Sequence, residues 1–190
     1  MVLLSPSIGG LRKLLEICES YARAHGLVYN AKKSKILVFK AGNRLPGHVP
    51  TITLNGAAFS RVNKFKYLGT IITADLNDDD DIERERRALA VRSNMLARRF
   101  ARGTTGVKIT LFRAFCQSFY SGGLWVSYTR RAYNALRVQY NNAFRVLLRL
   151  PRFCSASGMF VDARVDGFHA IMRKKASSLL RRMRASTTAS

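Results

Sequence analysis

The chain has 190 residues, 47% hydrophobic and 10% aromatic, with 33 Lys and Arg against 11 Asp and Glu for a formal charge of +22. That composition excludes a fully disordered chain and bounds the protein to one sizeable domain or two small ones. So positive a balance points to a polyanionic partner, nucleic acid before an anionic membrane surface, because each neutralised phosphate releases a counterion.

No stretch reaches the roughly 18 apolar residues of a membrane-spanning helix. The apolar start, Met1 to Leu4, is broken by Ser5-Pro6 and Gly9-Gly10, so no signal peptide and no membrane partner are expected. Cys18, Cys116 and Cys154 are odd in number and far apart. They read as buried thiols of a reducing compartment, cytoplasmic or nuclear. The cysteines and His25, His48 and His169 show no metal-ligand spacing.

The charge is unevenly placed. Residues 1–81 hold 11 basic and 7 acidic side chains, residues 82–190 hold 22 and 4. This divides the chain near residue 75, into 1–75, a basic helical part 76–184 and a small, polar, frayed tail 185–190.

The first part reads as α/β. Met1–Ser5 reads as the end of a buried strand. Ser7 is placed to cap a helix whose apolar face is Leu11, Leu14, Leu15, Cys18 and Tyr21, and Gly26 to end it. Leu27–Tyr29 and Ile36–Phe39 read as short strands around a polar turn, Asn30–Lys35. A Gly- and Pro-containing loop follows, Ala41–Pro50. Thr51–Leu54 and Ala57–Ser60 flank Asn55-Gly56, a hairpin signal because a type I′ turn wants positive φ at both central residues. Phe65–Ile72 reads as a further strand.

The second part reads as helices. Asn77–Asp81 places carboxylates at a helix start, where they offset the positive end of the dipole. That helix runs through Ile82, Leu89, Leu96 and Phe100 and stops near Gly103. A second carries Val107, Leu111, Phe115 and Phe119 and ends at Gly122-Gly123. A third carries Ala132, Leu136, Tyr140, Ala143, Leu147 and Leu150 before Pro151. A fourth follows Asp166 with Phe168, Met172, Leu179 and Met183 inward.

Basic residues fall on the outer faces of these helices. The nucleic-acid-binding candidates are Arg98, Arg99, Arg102, Lys108, Arg113, Arg130, Arg131, Arg137, Arg145 and Arg149, with Lys66 from the first part. Arg173, Lys174, Lys175, Arg181, Arg182 and Arg184 extend the set. Within 82–190 only Lys108, Lys174 and Lys175 are lysines. A guanidinium grips phosphate through two parallel hydrogen bonds and stacks on bases, so the bias suits nucleic acid. A solvated helical surface is the competing reading.

The run Asp78–Asp81 invites a metal site, but two-metal phosphoryl chemistry needs carboxylates held together on rigid strand ends. Four consecutive Asp at a helix start point in different directions. Asp166 and His169 read as a cap and its neighbour, with no ligand role. No paired-carboxylate site, phosphate-cradling glycine loop or nucleophile elbow is legible. Two segments remain open between structure and function. In Asn30-Ala31-Lys32-Lys33-Ser34-Lys35, clustered ammonium groups face either a pyrophosphate or solvent. Phe65-Lys66-Tyr67-Leu68-Gly69 is either a core strand or part of a site.

In order, these segments resemble a known family. Tyr21-Ala22-Arg23-Ala24-His25-Gly26-Leu27, then Asn30-x-x-Lys33-Ser34-Lys35, an apolar strand, a hairpin and Phe65-Lys66-Tyr67-Leu68-Gly69 resemble the end of the palm of non-LTR (LINE-type) retrotransposon reverse transcriptases. The continuation is similar to the jockey or CR1-like branch. It comprises Val107-Lys108-x-x-Leu111-Phe112-Arg113-Ala114-Phe115-Cys116, Leu124-Trp125 and Ala143-Phe144-Arg145-x-Leu147-Leu148-x-Leu150-Pro151-Arg152. The likeness covers residues 1–184.

The resemblance implies an α+β fold, an incomplete reverse-transcriptase palm of short strands and one helix followed by an all-α, thumb-like helical bundle. It implies that Lys33 is the lysine on the side of the leaving pyrophosphate, and that Tyr67, Leu68 and Gly69 are the primer-grip motif. The basic helices then hold an RNA template with its DNA primer, an RNA–DNA duplex, by the backbone. The family's aromatic-x-Asp-Asp motif, whose carboxylates bind Mg²⁺, precedes a segment like Met1–Ser5. It is absent from these 190 residues, as are the fingers and the other palm aspartate. No cofactor is therefore expected in this chain, Mg²⁺ is implied for the full-length parent enzyme only, and the chain alone is expected to show no polymerase activity. The alternative is a stand-alone basic RNA- or DNA-binding protein with no enzymatic role.

Overall fold

A computed structural model of the chain describes residues 1–30, 33–40 and 48–187. The chain is mixed α+β, with six helices and six short strands among the described residues. It divides into two compact units. One comprises Met1–Lys66 and Thr73–Leu76, the other Tyr67–Ile72 and Asn77–Ser190.

The first unit opens without a strand. Met1–Ser5 is irregular, and Met1, Val2 and Leu4 are exposed, in place of the buried strand expected there. Helix α1 spans Ile8–Ala24, with the Ser7 hydroxyl accepting from the Gly10 amide as its N-cap. It ends where expected, with the amides of His25 and Leu27 donating to the Tyr21 and Ala22 carbonyls. Its buried residues are Leu15 and Ala22, while Tyr21 is 55% exposed. The true stripe therefore lies one residue away from the expected one at its C-terminal end.

Leu27–Tyr29 forms no strand, and Val28 is 90% exposed. Strand β1 is Lys35–Leu37 and pairs in parallel with β4, Ser60–Val62, so that Ile36 faces Arg61. Strands β2, Thr53–Leu54, and β3, Ala57–Ala58, form the expected hairpin. Asn55 at φ 49° and Gly56 at φ 75° make its turn, both in the left-handed region that type I′ requires. Leu15, Ile52 and Leu54 form the unit's small core, with Leu3, Ile8, Leu11, Tyr29, Ile36 and Phe59 packed against them. Residues 41–47 of the expected loop lie outside the described residues.

The expected strand over Phe65–Ile72 is instead two. Strand β5, Lys64–Tyr67, pairs with β6, Thr70–Thr73. Leu68 at φ 47° and Gly69 at φ 87° form the turn between them.

The second unit is built on helix α2, Asp79–Arg99. Helix α3 is Thr105–Cys116, capped by Thr104, and α4 is Arg130–Leu148, capped by Thr129 and ended by Arg149 in the left-handed region. The unanticipated α5 is Ala156–Asp162, and α6 is Phe168–Thr187, so the tail expected to fray at 185 is still helical there. Helices α2 and α4 pack along their length, joined by α3 and α6.

Their shared core includes Ile82, Leu89, Leu96, Phe112, Phe119, Leu136, Tyr140, Phe144, Phe160 and Phe168. At its aromatic centre Phe112 and Phe144 meet edge-to-face, with centroids 4.8 Å apart at 72°. The Tyr140 hydroxyl donates to the Asp166 carbonyl at 2.7 Å and accepts from Gln117 Nε2 at 2.9 Å, so this buried polar atom is satisfied.

Two faces differ from expectation. Helix α3 buries Lys108, Phe112 and Cys116, while Val107 and Phe115 are exposed, and the helix stops at Cys116 rather than at Gly122-Gly123. Helix α6 buries Phe168 and Ile171 and exposes Met183.

Candidate nucleic-acid interface

The acidic start of α2 sets the local frame. Asp78 Oδ2 accepts from the amides of Val126 and Ser127 at 2.7 and 2.9 Å. Asp79 accepts from the Thr129 amide and hydroxyl, both at 2.8 Å. Asp81 is fully buried and accepts from the Ile71 amide, Arg84 Nε and Trp125 Nε1 at 2.9, 2.7 and 2.9 Å. These aspartates thus tie residues 125–129, the entry to α4, onto the first turn of α2. Burial alone would raise the Asp81 pKa, but the hydrogen bonds from Arg84, Ile71 and Trp125 outweigh it and hold the pKa below the ordinary value.

These carboxylates do not fit Mg²⁺. Their oxygens are taken by amides, an indole and a guanidinium and point to different partners, and among the described residues no group of three or more His, Cys, Asp or Glu could hold a metal ion.

Farther along α2 the basic residues are internally neutralised. Arg86 and Arg87 pair with Glu83 at 2.6 and 2.7 Å, and Arg84 and Arg92 pair with the buried Glu85. The hydrogen bond from Arg86 is the main cause that lowers the Glu83 pKa to about 2. With those pairs made, the uncompensated charge begins at the C-terminal end of α2. Arg98, Arg99, Arg102, Arg130, Arg131 and Arg149 are exposed and form no ion pair among the described residues.

The other candidates are placed differently. Lys108 does not belong to the exposed set. It is 9% exposed, and its Nζ donates to the Ala101 carbonyl at 3.3 Å. Its four-carbon stem fills the core row while its ammonium serves the chain turn after α2. Arg113 is exposed but donates to the Arg164 carbonyl at 2.7 Å. Arg145 donates to Asn142 Oδ1 and to the Cys154 carbonyl and clamps the loop after α4. Arg137 is half-buried. Lys174 is bound to Asp166 at 2.6 Å, which gives that carboxylate a partner other than His169.

In the first unit, Lys33 is exposed on a turn organised by Asn30, whose Oδ1 and carbonyl both accept from the Lys33 amide at 3.1 Å. Ala31 and Lys32 lie outside the described residues. Lys66 and Tyr67 are exposed on β5, and Leu68 and Gly69 form the exposed turn after it.

One surface feature lies outside the candidates expected from the sequence. Tyr128 and Tyr133 stack with centroids 5.0 Å apart at 14°, and Tyr133 sits edge-on to the buried Phe168 at 5.1 Å. The available signal was a tyrosine immediately before the Thr129 cap and the Arg130-Arg131 pair.

Compared with family models, curated proteins and solved structures, the chain matches none. Among the described residues no helix is long and apolar enough to cross a membrane.

Proposed function

We propose that the helical unit grips the sugar–phosphate backbone of a template–primer duplex, as the thumb of a non-LTR retrotransposon reverse transcriptase does. The observation that carries this reading is the division of arginines. Those of the first half of α2 are consumed by Asp81, Glu83 and Glu85, whereas Arg98, Arg99, Arg102, Arg130, Arg131 and Arg149 keep open guanidinium groups. Like charges left unpaired destabilise a compact unit by self-repulsion, and phosphates relieve that repulsion while accepting paired N–H donors. The order of the Asn30–Lys35, Phe65–Gly69 and Ala143–Arg152 motifs supports the same family. In this reading residues 1–75 are the end of the palm, Lys33 lies toward the pyrophosphate and Tyr67–Gly69 toward the primer.

Chemical footprinting of arginines tests the reading. With an RNA–DNA hybrid bound, Arg98, Arg99, Arg102, Arg130, Arg131 and Arg149 are protected from phenylglyoxal, and Arg84, Arg86 and Arg87 are unchanged. Unaltered reactivity of the six would overturn it.

A further inference from the structure

Tyr128 is a large aromatic side chain left 40% exposed on a segment held from three sides. The Val126 and Ser127 amides are bound by Asp78, the Ser127 carbonyl accepts from the Asp78 amide at 2.7 Å, and Thr129 is bound twice by Asp79. Tyr133 backs one face of its ring in a near-parallel stack, and Phe168 in turn backs Tyr133 from the core. Among the described residues Tyr128 has no other ring partner. The exposed guanidinium groups of Arg130 and Arg131 follow directly in the chain.

Such a column, running from the core outward and ending in an exposed ring beside open cationic groups, has the chemistry of a nucleobase platform. The ring supplies a π-face at little entropic cost because it is already immobilised, and the arginines supply the phosphate contacts. We propose that Tyr128, backed by Tyr133, stacks an unpaired nucleobase at the end of the gripped duplex. This rests on the duplex-gripping reading and adds to it the place where a single-stranded base is taken.

The unpaired base is supplied by either strand, so the test uses the full chain with three probes. These are a blunt RNA–DNA hybrid, the same hybrid with a short RNA overhang, and the same with a short DNA overhang. Each overhang carries 2-aminopurine next to the duplex. One overhang binds roughly ten-fold tighter than the blunt end, as expected for one stacked base, and its 2-aminopurine fluorescence is quenched. Which overhang does so identifies the strand. Tyr128→Leu keeps an apolar contact on Tyr133 but removes the π-face. It abolishes both the preference and the quench, with blunt-hybrid affinity unchanged within about two-fold, and Tyr128→Phe retains both. Equal binding of blunt and overhang probes by the wild type, or quenching that survives Tyr128→Leu, would overturn the platform. Tyr128-dependent quenching with no preference of the chain for the blunt hybrid over a blunt DNA duplex of the same sequence, run as a control probe, would sustain the platform and overturn the gripping reading instead.

Discussion

The indole Nε1 of Trp125 donates to Oδ2 of Asp81 at 2.9 Å across 44 residues of chain, and the Asp81 side chain is fully buried. The other carboxylate oxygen accepts from Ile71 and Arg84, so one acidic group joins the β6 strand, the start of α2 and the entry to α4.

Removing that carboxylate leaves the Trp125 indole N–H and the Ile71 amide without their acceptor, while Arg84 keeps Glu85 and Ser121. Asp81→Ala is expected to destabilise the helical unit by about 1–3 kcal/mol, the cost of leaving a buried donor unsatisfied. Trp125 is the chain's one tryptophan, so its fluorescence during urea unfolding reports this unit. An unshifted midpoint would contradict the central place given to Asp81.

The carboxylates of α2 make the unit acid-sensitive. Asp81 and Glu83 both have folded pKa values below their ordinary ones, Glu83 from 4.5 to about 2. A depressed carboxylate contributes stability above its unfolded pKa and loses it as pH falls through the folded value. The Trp125-monitored midpoint is therefore expected to be level above about pH 5 and to fall between about pH 4.5 and 2. Asp81→Asn and Glu83→Gln each flatten that fall, and an unchanged slope in both variants would show that other groups dominate.

Lysine and arginine substitutions separate surface charge from buried packing. Arg98→Gln, Arg99→Gln and Arg102→Gln together should leave the thermal midpoint nearly unchanged and lower the slope of log affinity against log salt by roughly 0.9 for each phosphate no longer neutralised. Lys108→Gln should do the reverse, lowering stability while leaving the salt slope intact, because its ammonium is bound to the Ala101 carbonyl. Salt-dependent binding measured beside thermal unfolding distinguishes the two.

The β5–β6 turn carries backbone strain at a defined place. Gly69 sits at φ 87°, where a Cβ would meet no neighbouring atom, so the cost of Gly69→Ala is conformational rather than steric crowding. It is expected to destabilise by about 1–2 kcal/mol, and Leu68→Gly, which relieves a bulky residue at φ 47°, to offset part of that loss. Proteolytic nicking at this turn measures both, and greater resistance of Gly69→Ala would contradict the assignment.

Long helices were legible because their apolar spacing repeats over many turns, as in α4, whose buried Leu136, Tyr140, Ala143 and Leu147 follow the 3.6-residue period. Helix α3 differs from its sequence reading by one position. It carries two apolar rows, and the buried one contains Lys108, whose charge disguises a stem that packs inside. Asn55-Gly56 announced its turn, whereas Leu68-Gly69 did not, because a bulky apolar residue occupies its first left-handed position. Helix α5 is seven residues long and contains Gly158, too short for a periodic signal. The Asp78–Asp81 run was legible as charge at a helix start. Its partners among Trp125–Thr129 lie some 44 to 50 residues away, and no local pattern encodes such pairings. The Tyr128–Tyr133 stack escaped notice for a related reason, since its two members straddle a loop and a helix.

The most direct test of the account is the affinity of the pure chain for an RNA–DNA hybrid and for a B-form DNA duplex of the same length and sequence, measured over a series of salt concentrations. A template–primer grip predicts parallel salt dependences with the hybrid bound several-fold tighter throughout, because helices that follow an A-like backbone distinguish the two shapes. Equal affinities at every salt concentration would contradict it and leave a basic protein that binds any polyanion.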